Sequence, residues 1–238
     1  MNTNKKTARI VGILFITATV AGILSVVFLR PILDAPDYLI KVSANENQVI
    51  IGGLFELIMA VACAGIAIWL YPVLKKHNHA LALGSVSFRI IEAALYFVAV
   101  TGLLSLLTLS QEFVKVGAPV ASNFQALGTS LLAVRDWAGQ LGMIAFILGA
   151  LMYYYIFYQS KLIPRWLSGW GLIGVPFWLA VSLLIMFGSL TASSVLATFL
   201  YLPIAVNEMV LAVWLIVKGF NPSAIASGSA KTDINEIK

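Results

Sequence analysis

Long apolar stretches alternate with short polar ones along this 238-residue chain, and the alternation has the length scale of a membrane. A helix rises 1.5 Å per residue, so crossing a hydrocarbon core of about 30 Å takes about 20 apolar residues. Six stretches meet that need, at approximately 9–29, 49–73, 81–109, 131–158, 166–188 and 195–217. The links predicted between them are a loop of 30–48, the basic turn Lys75-Lys76-His77-Asn78-His79, and a polar stretch of 110–130. The turn from Lys161 to Arg165 and the very short link from Ser189 to Ser194 complete the set. The third and fourth stretches are longer than a span requires, which predicts tilt or extension beyond the core. The pattern therefore predicts an all-α, polytopic bundle of six transmembrane helices forming one domain over residues 1–220. The remainder, 221–238, is rich in Ser, Ala, Lys and Asn without an apolar period, and reads as a disordered tail.

Composition removes the soluble alternatives. Hydrophobic residues make up 61% of the chain and charged residues 11%, against about 45–50% and 25% in an ordinary soluble domain. A mean hydropathy of +0.96 agrees. The apolar run from Ile10 to Leu29 is too long for a signal-peptide core and has no small-x-small cleavage site after it, so it reads as an uncleaved first helix.

Charge adds an orientation. The net charge of +5 comes from basic residues scattered at helix ends, which argues against nucleic acid as a partner and for the lipid bilayer. One set of segments holds Lys5, Lys6, Arg9, Lys75, Lys76, Lys161, Arg165, Lys218, Lys231 and Lys238, and the opposite set holds Arg30, Lys41 and Lys115. Ten positives against three predict that both termini face the cytoplasm. The expected location is the cytoplasmic membrane.

Against this apolar background Glu56, Glu92 and Glu208 stand out, because each lies in the middle of a span. A charged side chain at the bilayer centre costs roughly 2.5–3.5 kcal/mol on insertion scales, so it has to face protein or water and find partners. Arg89, Arg135, Asp136, Gln140 and Asn207 lie in the same kind of stretch. Counting helical rise from the predicted span edges puts Glu56 about 12 Å, Gln140 about 15 Å, Glu208 about 15 Å and Glu92 roughly 17–20 Å deep. Four helices thus place a polar group near one level. Arg89 and Glu92 are three apart and predicted to pair on one face, which Tyr96 continues; Asp136 and Gln140 share a face by the same rule. Arg135 and Asp136 point apart. Arg135, about 7 Å from its predicted edge, is expected to snorkel outward.

Four embedded acids against two bases leave an excess of two negative charges. The expectation is that at least one glutamate carries a proton at neutral pH or that a cation compensates it. The candidate ligand-binding set is Glu56, Arg89, Glu92, Tyr96, Asp136, Gln140, Asn207 and Glu208. No catalytic residue, metal ligand or cofactor is assigned. His77 and His79 share one loop without a third ligand. Ser168 has no intramembrane histidine to act as base. The single cysteine, Cys63, excludes an intrachain disulfide and reads as a small packed residue. Tyr153, Tyr154, Tyr155 and Tyr158 with Trp166 and Trp170, flanking Lys161 and Arg165, read as an interfacial aromatic belt. Gly12 with Gly22, and Gly139 with Gly142, are expected to permit close helix packing. Pro176 and Pro203 fall inside the fifth and sixth spans.

The leading functional expectation is non-enzymatic binding or transport of a small molecule or ion at the polar layer. Arg89, Glu92 and Glu208 form its centre, with Glu56 and Gln140 lining it. Two rivals use the same residues. A structural or regulatory subunit would employ them as a dry, paired network fastening the helices, at about 0.6 kcal/mol per contact. A membrane-embedded enzyme would pair an acid with Arg or Tyr against a lipid-soluble substrate, and needs a water-accessible cleft.

Several short motifs carry a family resemblance. They are Ala8-Arg9-Ile10-Val11-Gly12-Ile13-Leu14, Phe55-Glu56-Leu57, Phe88-Arg89-Ile90-Ile91-Glu92-Ala93, Asn207-Glu208 and Leu215-Ile216-Val217-Lys218-Gly219. In this order and spacing the chain resembles the bacterial integral membrane proteins grouped as domain of unknown function 4386, over roughly residues 7–220. The resemblance implies a six-helix membrane protein and supplies neither an activity nor a substrate.

Overall fold

The computed structural model describes residues 3–116, 121–191 and 194–228, and among them there is helix but no strand. In chain order the helices are α1 (Thr3–Leu33), α2 (Tyr38–Ala44), α3 (Glu46–Leu74), α4 (His79–Val116), α5 (Ala121–Ser160), α6 (Arg165–Met186) and α7 (Val195–Val217). A short α8 follows at 222–228. Six of these, all but α2 and α8, are long and apolar enough to cross a membrane. In the most apolar windows of α1, α6 and α7 only 28% of residues are buried. Side chains such as Ile23, Phe177, Phe199 and Val213 are correspondingly exposed, as they are where lipid is the solvent.

Three expected elements differ. The predicted loop 30–48 is mostly helical, because α1 runs on through Pro31 and α2 fills Tyr38–Ala44. The predicted polar stretch 110–130 is helix up to Val116 and again from Ala121, and 117–120 lie outside the described residues. At 1.5 Å per residue the 38 and 40 residues of α4 and α5 make rods of about 57 and 60 Å, far longer than a hydrocarbon core. Hydropathy reports the apolar part of a helix, not its end. The tail is the third case. Asn221 accepts the Ser223 amide at 3.2 Å and Pro222 takes the first helical position, a start signal that builds α8. Residues 229–238 of the expected disordered tail lie outside the described residues.

The chain divides into two compact units. Unit 1 comprises 1–16, 62–92 and 143–238, and unit 2 comprises 17–61 and 93–142. In lipid there is little hydrophobic drive between helices, so close approach of small residues carries the packing. In unit 1, a side chain at Gly12 would sit 2.6 Å from the Ala212 carbonyl, so α1 and α7 meet backbone to backbone there. α6 packs on α7, and Trp178 Nε1 donates to the Tyr201 carbonyl at 3.1 Å. In unit 2, Gly22 lies under Met59 and Gly52 under Leu29. The unit 2 core joins Leu29, Ile32, Leu39, Val42, Val49, Leu103 and Leu106. Gly139, expected to permit close packing, meets nothing within 4 Å.

Candidate functional site

The polar residues read from the sequence as one layer fall into two groups, one in each unit. Unit 1 holds Arg89, Glu92, Asn207 and Glu208; unit 2 holds Glu56, Tyr96, Asp136 and Gln140.

In unit 1 the central side chain is Arg89, 1% exposed and the largest fully buried one among the described residues. Its stem lies against Gly149, where an added Cβ would come within 3.2 Å of Cγ. Its guanidinium stacks over the Phe146 ring at 4.9 Å, and Nε donates to the Cys63 carbonyl at 3.3 Å. The predicted pairing holds: Arg89 Nη1 and Glu92 Oε2 are 2.9 Å apart, and both side chains are buried. Neither atom has an aligned hydrogen-bond partner among the described residues. The contact is therefore one of charges rather than of a directed bond. The Cys63 thiol lies against the Glu92 carboxylate.

Glu208 stands opposite, partly buried, and its only short polar contact on α5 is the Tyr153 hydroxyl, which donates to Oε1 at 3.4 Å. It lies within electrostatic reach of both Arg89 and Glu92. Two carboxylates therefore share one guanidinium. Asn207, next in the chain, has a different job. Its Oδ1 accepts from the Tyr154 hydroxyl at 2.6 Å and its Nδ2 donates to the Leu167 carbonyl at 3.0 Å. Fully buried and bonded at both ends of its amide, Asn207 ties α7 to α5 and α6. Gly171 makes room for this tie, because a methyl there would overlap the Tyr154 ring.

In unit 2 the tight contact is between Arg135 Nη2 and Glu56 Oε2 at 2.7 Å, with side-chain exposures of 15% and 7%. Arg135 Nη1 reaches the Ala99 carbonyl at 3.4 Å. The expectation that Arg135 snorkels is overturned. Glu56 on α3 and the Ala99 carbonyl on α4 hold its guanidinium within unit 2, so it finds partners without reaching for solvent. Asp136, by contrast, is exposed, and Tyr96 is partly buried. Gln140 is partly buried, and its Oε1 has no aligned partner among the described residues.

Sequence reasoning missed Tyr153 and Tyr154. Both are 0% exposed, with rings 4.5 Å apart and hydroxyls turned to Glu208 and Asn207. Of the four tyrosines, Tyr155 and Tyr158, at 46% and 37% exposure, keep the character of an interfacial belt, as Trp166 does. The available signal was spacing: Phe146, Ala150, Tyr153 and Phe157 recur at helical intervals and are all buried. Ser168 back-bonds to the Pro164 and Arg165 carbonyls at 3.3 Å each, as a helical serine does.

Six spanning-length helices with charge contacts inside them define a multi-pass membrane protein. The chain belongs to the family described as "Domain of unknown function (DUF4386)", whose model matches residues 10–219. No curated protein and no solved structure matches it.

Proposed function

We propose that the unit 1 cluster is a non-enzymatic binding site through which a proton or small monovalent cation is taken up, as part of binding or transport. The observation that carries this reading is the uneven count of charges. Arg89 faces Glu92 at 2.9 Å and lies within electrostatic reach of Glu208 as well. With both acids ionised the cluster keeps one unbalanced negative charge inside a membrane-spanning fold, where such a charge is costly. A proton or cation at Glu208, beside the Tyr153 hydroxyl, removes it. Asn207 and Tyr154 position the helices and do not bind the ion. Arg135 and Glu56 balance each other, so the unit 2 pair acts as a fastener, and Asp136, Gln140 and Tyr96 of the same unit are secondary positions.

The test is flux in liposomes. Purified protein is reconstituted and proton entry followed with an internal pH dye under an imposed gradient, with sodium uptake measured in parallel. Glu208→Gln and Glu92→Gln are each expected to lower the flux at least about tenfold, the loss that about 1.4 kcal/mol produces. If both variants fold and carry wild-type flux of both ions, the proposal fails.

We further propose that the protein sits in the bacterial cytoplasmic membrane with both termini inside, on the strength of the ten-to-three distribution of basic residues. Cys63 is the sole cysteine and is buried, so introduced thiols report cleanly. In intact cells an impermeant maleimide is expected to label Asn47→Cys and to reach Lys75→Cys only after permeabilisation. The reverse pattern would invert the topology.

A further inference from the structure

A groove in unit 1, distant in the chain from Arg89 and Glu92, has no part in the ion site. It encloses about 580 Å³ between the turn that joins α5 to α6 and the segment that follows α7. We propose that it binds the phosphate headgroup of an anionic phospholipid.

Its walls are built rather than incidental. The Asn221 amide donates to the Leu162 carbonyl at 2.9 Å, and Asn221 Nδ2 donates to the Lys161 carbonyl at 3.3 Å. These two bonds hold the segment after α7 against the turn before α6. Gly219 takes a left-handed conformation (φ +74°), and the Lys218 and Gly219 amides both donate to the Trp214 carbonyl. Lys161 is also left-handed (φ +58°), a place that favours glycine or asparagine. A lysine there points to a need for its charge.

Lys161, Arg165 and Lys218 line the groove, and no acidic residue does. Lys161 and Lys218 form no ion pair among the described residues, and the Arg165 guanidinium meets Tyr158 there, its carbonyl at 3.5 Å and its ring at 5.2 Å, and no acid. Helix dipoles explain part of this placement, since Lys161 and Lys218 follow the C-termini of α5 and α7. They do not explain Arg165. It opens α6, where the dipole disfavours a cation and favours an anion, and the Pro164 cap leaves that first turn without a side-chain acceptor. An anion in the groove satisfies all three cations and the helix end together.

The remaining lining separates a lipid from free phosphate. Leu162, Ile163, Trp214 and Phe220 supply an apolar wall, suited to the glycerol and first acyl carbons. Trp166, beside Arg165, is 57% exposed in the manner of an interfacial anchor. Basic pockets between spans on the expected cytoplasmic side are where anionic headgroups gather.

Native mass spectrometry of the detergent-purified chain, with phosphatidylglycerol and phosphatidylcholine at equal concentration, tests this. Wild type is expected to retain phosphatidylglycerol at least about tenfold more, given three lining cations. The triple variant Lys161→Asn, Arg165→Gln, Lys218→Gln is expected to bring the two lipids to near parity. Its charge-matched control, Lys5→Gln with Lys75→Gln and Lys76→Gln, is expected to keep the preference. Inorganic phosphate is expected not to displace the retained lipid. Wild type without a preference, equal loss in variant and control, or displacement by inorganic phosphate would each overturn the proposal. The wild-type preference and the phosphate competition need no variant to fold.

Discussion

Arg89→Leu is expected to be the most destabilising single substitution within the spans, at about 3–5 kcal/mol, the range for removing one partner of a buried ion pair. The cause is specific. Arg89 is the one cation facing both Glu92 and Glu208 in unit 1, so its loss strands two acids. Glu92→Leu strands only Arg89, which still has Glu208 in reach and the Cys63 carbonyl as acceptor, and its cost is expected to be smaller. Replacing both, Arg89→Leu with Glu92→Leu, is expected to recover much of the loss, because an apolar pair of similar volume removes the desolvation problem. Unfolding in mixed detergent micelles measures all three. A double variant no more stable than Arg89→Leu would mean that the two charges do not act as a unit.

The second large effect is expected in unit 2. Arg135→Ala removes the partner of Glu56, and because Arg135 keeps 15% exposure the cost is expected at roughly 2–3 kcal/mol, below that of a fully buried pair. A double-mutant cycle with Glu56→Gln is expected to show a coupling energy of about 1–3 kcal/mol. Neither change is expected to alter the ion flux assigned to unit 1, which separates a fastener from a binding site. Additivity of the two substitutions would dissolve the pair; loss of flux would move the site.

These two pairs also mark how far the sequence could be read. Arg89 and Glu92 were legible because three residues along a helix bring side chains onto one face whatever the surroundings. The Arg135–Glu56 pair was not, because it joins α5 to α3, and spacing along one helix does not say which other helix it meets. Polar residues such as Asn123 and Gln125 look like a loop to a hydropathy scan yet continue the helix. Tyr153 and Tyr154 were hidden for another reason. Next to Lys161 and Arg165, tyrosines suit an interface as well as an interior, and only packing distinguishes the two. The six spanning helices themselves were plain, since about 20 apolar residues at a time have few other physical solutions. The division of the polar layer into two groups required the chain to be folded.

Glu208 carries the central claim, that the unit 1 cluster holds an acid whose charge is balanced from outside the chain. Infrared difference spectroscopy of the carboxyl bands tests it most directly, comparing wild type with Glu208→Gln at neutral pH, with and without sodium. The account predicts either a protonated-carboxyl band in wild type that Glu208→Gln removes, or a carboxylate band at Glu208 that shifts when sodium is added. Every acid ionised, with no response to sodium and no change at Glu208→Gln beyond the loss of one ordinary carboxylate, would contradict it.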